Sequence, residues 1–170
     1  MSTAAAALGM NGTHVSLNWR NREYTIRPLT WGIIDQMSRW LMLRDIESKT
    51  DSYQALVERG LMSAAEAVDK IEILTETATQ SGKYAFGSKV MNRALFGKDE
   101  APQIDADKAA TEVATLDPAT FSAKMKLFSL MLGCDIDELL NLFHEKQEEL
   151  LAKIQTVFAE SMPRPKAEPV

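Results

Sequence analysis

Apolar and polar residues alternate in two short runs near the start of the chain, and apolar residues fall at helical spacing after that. Val15, Leu17 and Trp19 alternate with Ser16 and Asn18, and Tyr24 and Ile26 alternate with Thr25 and Arg27. Period-two alternation around a short polar connection, Arg20-Asn21-Arg22, predicts a β-hairpin with one buried face. Asn21 tolerates the positive φ that such a turn requires. A lone hairpin is marginal in water, so this one must pack on helices or join another sheet.

Pro28 ends the second strand, and Thr30 is placed to cap a helix. Trp31, Ile33, Ile34, Met37, Trp40 and Leu41 follow at helical spacing. This first helix is expected to run to about Asp45 and to stop at the polar stretch Ser48 to Ser52. A short helix then covers Tyr53 to Arg59, with Gly60 closing it. Ser63 and Glu66 form a capping box that opens a longer helix, with Ala67, Ile71, Leu74 and Ala78 as its apolar line. Gly82 and Gly87 interrupt the pattern, so Lys83 to Phe96 is a separate helix or a kinked continuation.

Asp117-Pro118 is an N-cap followed by proline at the first helical position. Phe121, Met125, Phe128 and Leu132 line the helix it opens, and Gly133 closes it. Asp135 and Glu138 start the last helix, with Ile136, Leu140, Phe143, Leu150, Ile154 and Val157 on one face. The fold class expected is mainly α: an N-terminal hairpin followed by five or six helices in a small bundle-like domain. The organisation expected is a flexible arm over 1–11, a hairpin with helices over 12–96, and a helical pair over 117–161. Residues 97–116 carry a net −3 and are expected to be an acidic, flexible linker, with a helical part within it left open. The tail, 162–170, holds Pro163, Pro165 and Pro169 and is expected to be disordered. No internal repeat of solenoid length is evident.

Length and composition bound the function. The chain has 170 residues, 45% hydrophobic and 25% charged, which is one ordinary globular domain. A net charge of −5 argues against broad nucleic-acid binding, which needs a basic surface. No apolar run approaches the length of a membrane span. Residues 1–10 have neither the positive charge nor the apolar length of a signal peptide, so a reducing, cytosolic setting is expected. One cysteine forms no disulfide within the chain and no cysteine zinc site.

Candidate chemistry is sparse. Gly97-Lys98 lacks a glycine five positions earlier, where Asn92 stands, and lacks a hydroxyl residue after it; Gly82-Lys83 fails in the same way. Cys134 precedes a helix, a place where a thiol can be activated. Its nearest histidine in sequence, His144, lies ten residues on, about 15 Å along a helix and out of reach. His144 and Glu148 make at most half a metal site. Asp135, Asp137 and Glu138 lack the EF-hand glycine and glutamate, because Leu140 and Lys146 stand in those places. No cofactor is therefore expected. Trp19, Trp31 and Trp40 interleave with Arg20, Arg22 and Arg27. They form either a platform for single-stranded nucleic acid or the glue between the hairpin and the first helix. Nine methionines suit either an irregular helical core or a surface for varied apolar partners.

Two stretches resemble the tail assembly chaperones of long-tailed bacteriophages. One is the hairpin leading into Tyr24-Thr25-Ile26-Arg27-Pro28-Leu29. The other is Phe128-Ser129-Leu130-Met131-Leu132-Gly133-Cys134 followed by Asp135-Ile136-Asp137-Glu138-Leu139-Leu140. Together they cover about a third of the chain as patterns of residue class, and the middle from Glu47 to Leu116 matches neither. The resemblance implies a non-catalytic protein in the host bacterial cytoplasm. Its partner would be the long helical tape-measure protein or other tail proteins, with no membrane involved and with a homo-oligomer open. Apolar residues of the last two helices, Met125, Phe128, Phe143 and Phe158, would be the client contacts. The alternative is a structural virion protein that assembles through its hairpin and N-terminal arm.

Overall fold

The computed structural model describes residues 15–80, 82–100, 106–114 and 116–161. The expected arm over 1–11 and the tail over 162–170 lie outside the described residues. Strands β1 (Val15–Trp19) and β2 (Arg22–Ile26) pair antiparallel, with Leu17 opposite Tyr24 and Trp19 opposite Arg22. The turn is two residues, Arg20 and Asn21, both at positive φ, as the twist of a tight hairpin requires. Six helices follow among the described residues: α1 (Trp31–Glu58), α2 (Ala64–Gln80), α3 (Lys89–Phe96), α4 (Ala106–Thr111), α5 (Pro118–Leu132) and α6 (Ile136–Ser161). The chain is mainly α, with a hairpin at the front.

Helix α5 is the centre. Ala123, Met125, Leu127, Phe128, Met131 and Leu132 are buried over roughly 200° of its circumference, and the remaining side carries the exposed Ala119 and Ser122 and the half-buried Lys126 and Leu130. The first part of α1, α3, α6 and the hairpin pack around it. Its ends are set by its sequence. Asp117 accepts from the N–H groups of Ala119 and Thr120 at 3.0 and 3.1 Å, and Gly133 closes the helix at φ 69°.

Arg27, just past β2, completes the C-terminal cap. Its N–H donates to Met131 O at 2.9 Å, and its guanidinium donates to Leu130 O at 2.5 Å. Carbonyls that a helix end leaves without partners are thus satisfied by the strand that precedes α1. A Cβ at position 133 would stand 3.3 Å from Arg27 Nη2. The Gly133→Ala variant is therefore expected to lose about 1–2 kcal/mol in denaturant unfolding, from the left-handed backbone alone, with the crowded Arg27 adding to it.

Two expectations change, and the helical part left open within the acidic linker is found. The helix expected to end near Asp45 continues unbroken to Glu58 and absorbs the short helix placed over Tyr53–Arg59. No Gly or Pro stands between Gly32 and Gly60. The hydroxyls of Thr50 and Ser52 donate back to the carbonyls of Ile46 and Ser48, so the polar stretch sits within the helix. Within the acidic stretch expected to be a linker, residues 106–111 form α4, with Ala110 and Thr111 buried. The last helix is kinked at Lys146, inside the six-residue polar run 144–149. Before the kink its buried residues are Leu139 and Leu142, not the Ile136–Leu140–Phe143 line the spacing suggests.

Candidate functional site

The Trp/Arg cluster resolves into a clamp between the hairpin and α6. Trp19 is buried, and its indole N–H donates to Glu145 Oε2 at 2.6 Å. Arg20 pairs with the other Glu145 oxygen, and its guanidinium lies 4.4 Å over the Trp19 ring. Arg22 and the Tyr24 hydroxyl both donate to Glu138 Oε1, at 2.8 and 2.5 Å. Hydrogen bonds from Trp19 and Arg20 hold the Glu145 carboxyl below the usual carboxylate range. The tryptophan therefore glues the hairpin to the last helix, not to the first. With Trp19 covered and both arginines engaged by carboxylates, these residues do not present the stacking platform that single strands require. Trp40 is half-buried beneath Arg44, and Trp31 stands apart in solvent at the start of α1.

The other candidates also fall into structural roles. Cys134 is half-buried, and burial, then the nearby Glu138 and Asp135, push its thiol up to about 11. That is the opposite of activation. Asp135 accepts from the Glu138 N–H at 2.7 Å and so caps α6. His144 and Glu148 are exposed. Among the described residues no group of three or more His, Cys, Asp and Glu side chains is arranged to hold a metal ion. Among them no helix is long and apolar enough to cross a membrane.

The four residues expected to touch a client are not a surface. Met125, Phe128 and Phe158 are core residues, and Phe143 is half-buried with its ring edge-on to Phe121, centroids 5.9 Å apart. The physical reason is that α5 and α6 bury these side chains against each other and against α1, α3 and α4. Their apolar face is already used.

Exposed apolar side chains gather elsewhere, on a two-helix arm formed by the distal part of α1 and α2. The buried residues of α1, Ile33, Met37 and Leu41, all lie in its first three turns. From Met42 onward no residue of α1 is buried. The half-buried positions there include Ile46, Thr50, Tyr53 and Val57, a line set roughly 140° around the helix from Leu41 at 100° per residue, with Met42, Arg44, Asp45, Ala55 and Leu56 half-buried beside it. One helix thus packs its first half on the body and its second half, by a different face, on α2. The connection is a Schellman turn: Gly60 N–H donates to Val57 O at 3.0 Å and Leu61 N–H to Leu56 O at 2.9 Å, with Gly60 at φ 70°. Ser63 then caps α2 through the Glu66 N–H at 3.1 Å.

Helix α2 buries only Ala67 and Ala78. Leu43, Leu61, Val68 and Ile73 on this arm are 60, 71, 61 and 63% exposed. Position-by-position reading of α2 finds its apolar line but not this exposure. The available signal was the alanines at both ends of that line, which give a seam too shallow to shield the larger apolar residues beside it. At the arm's base Tyr84 donates to Asp45 Oδ2 at 3.0 Å, and burial, then this carboxylate, pushes its hydroxyl up to about 12. Comparison of the chain with protein-family models, with curated proteins and with solved structures yields no match.

Proposed function

We propose that this chain is a non-catalytic tail assembly chaperone of a long-tailed bacteriophage. It binds the long helical tape-measure protein in the host cytoplasm and keeps it soluble until the tail tube forms around it. The observation that carries this reading is the α1–α2 arm. Two helices alone bury too little apolar surface to be self-sufficient, and this pair leaves Leu43, Leu61, Val68 and Ile73 in water. An amphipathic client helix laid on the arm supplies the missing third layer. The client contacts accordingly lie on the arm and not on α5 and α6.

The arrangement of the two stretches that resemble such chaperones supports the same reading. They are distant in sequence, yet Arg27 of one caps the helix that ends in the other, and Tyr24 meets Glu138. They form one docked unit from which the arm departs. The test is a pull-down of the tagged chain from cells producing the phage, with mass spectrometry, beside the protein content of purified particles. The expected result is enrichment of one very long helical protein and absence of this chain from particles. Stoichiometric presence in particles would overturn the reading in favour of a structural virion protein.

A further inference from the structure

Resting on the reading that the arm holds a helical client, we infer that the segment it accepts is a cationic amphipathic helix of about five turns. Length comes from α2, whose 17 residues span about 25 Å. The face follows from spacing. Ala64, Val68, Ile71, Thr75 and Thr79 fall on one flank of α2 and carry no charge. Opposite the Ala67–Ala78 seam stand Glu66, Asp69, Glu72 and Glu76, all exposed. Val68 is the exposed large apolar residue of this flank; Ile73, about 140° away, stands among the carboxylates, and a helix seated on the flank runs beside their row.

Charge then selects the occupant. From Leu43 to Gln80 eight carboxylates stand against four cationic side chains, so this segment holds −4 of the chain's −5. A second copy of the arm would bring another −4 against the first, and like charges brought together at an interface oppose association. A partner with lysine or arginine flanking its apolar stripe matches the surface in both respects.

The experiment titrates the full chain with two synthetic 18-residue helical peptides, followed by amide NMR shifts and fluorescence anisotropy. Both carry the same leucine stripe; one is flanked by lysines and the other by glutamates. The lysine peptide is expected to bind at least about tenfold more tightly at low salt, to shift amides of α2 and distal α1, and to lose this advantage as salt rises. Val68→Lys, at an exposed position, is expected to weaken it by a similar factor. Glu72→Lys combined with Glu76→Lys is expected to shift the preference toward the glutamate peptide. Equal affinities, shifts confined to the hairpin or to α5 and α6, or no binding of either peptide would overturn the inference. The chaperone reading would survive any of these if the tape-measure protein still co-purifies, and would fall separately if it does not.

Discussion

Phe128→Ala is expected to destabilise the chain by about 3–5 kcal/mol and to lower its melting temperature by roughly 10 °C. Phe128 has no exposed surface and belongs to a core to which the hairpin and all six helices contribute. Truncation removes the ring's transfer free energy and leaves a cavity in a close-packed core that cannot close fully. Val68→Ala on the arm is the control. Its side chain is mostly in water, so its change in stability is expected to stay within about 0.5 kcal/mol. Thermal unfolding by circular dichroism separates the two. A mild effect at Phe128 would mean that this side chain is not packed in the core as described.

Lys124→Ala is expected to be the second severe change, at about 2–4 kcal/mol, with local loss of amide protection over 106–112 in hydrogen exchange. Lys124 is almost wholly buried in α5, and its ammonium lies 5.8 Å over the centre of the Phe96 ring. Its Nζ donates to Ala109 O at 2.6 Å and to Glu112 O at 2.8 Å. Those carbonyls end α4, a helix of six residues that is too short to hold its own shape in water. The lysine is thus the cap that ties α4 to the central helix.

Burial pushes the Lys124 ammonium down to about 8, partly offset by Glu112. In the unfolded chain the group titrates near 10.5. Between these values the unfolded state holds the proton and the folded state has released it. Stability is therefore expected to rise with pH from about 8 to 10.5, and to be lower below that window. The neutral amine still has two N–H donors for its two carbonyls, so the cap survives deprotonation. In Lys124→Met, which keeps the stem and cannot ionise, this component of the pH dependence should vanish. Urea unfolding at pH 7.5, 9 and 10.5 measures it.

Local signals in the sequence were sufficient for much of the fold. Thr30, Ser63, Asp117 and Asp135 all accept the backbone N–H bonds that their positions foretell. The hairpin alternation placed Leu17, Trp19, Tyr24 and Ile26 on the buried face. Interactions between distant residues were not legible. The polar run Ser48 to Ser52 looks like a break because the side chains that compete with a helix are there, yet they bond back to their own turn. The acidic stretch after Gly97 has no apolar face that announces α4, whose cap arrives from Lys124. Composition likewise could not say which tryptophan meets which helix, since Glu145 stands 126 positions from Trp19.

The candidate site was the least legible part. Large apolar residues on the last two helices look like a binding face in one dimension, and they are the core in three. The arm's exposed residues are smaller and more scattered, and they emerge only once α1 is seen to change its packing face between Leu41 and Ile46.

The central claim is that this chain keeps a tape-measure protein soluble through its α1–α2 arm. Co-expression of the two, followed by sedimentation of the lysate, tests it most directly. With the wild-type chain the tape-measure protein is expected in the supernatant, in complex with this protein. With Leu43→Lys combined with Val68→Lys, both at exposed positions, it is expected in the pellet while the variant itself stays soluble and folded. A tape-measure protein that precipitates equally with the wild-type chain, or stays equally soluble with the arm variant, would contradict the account.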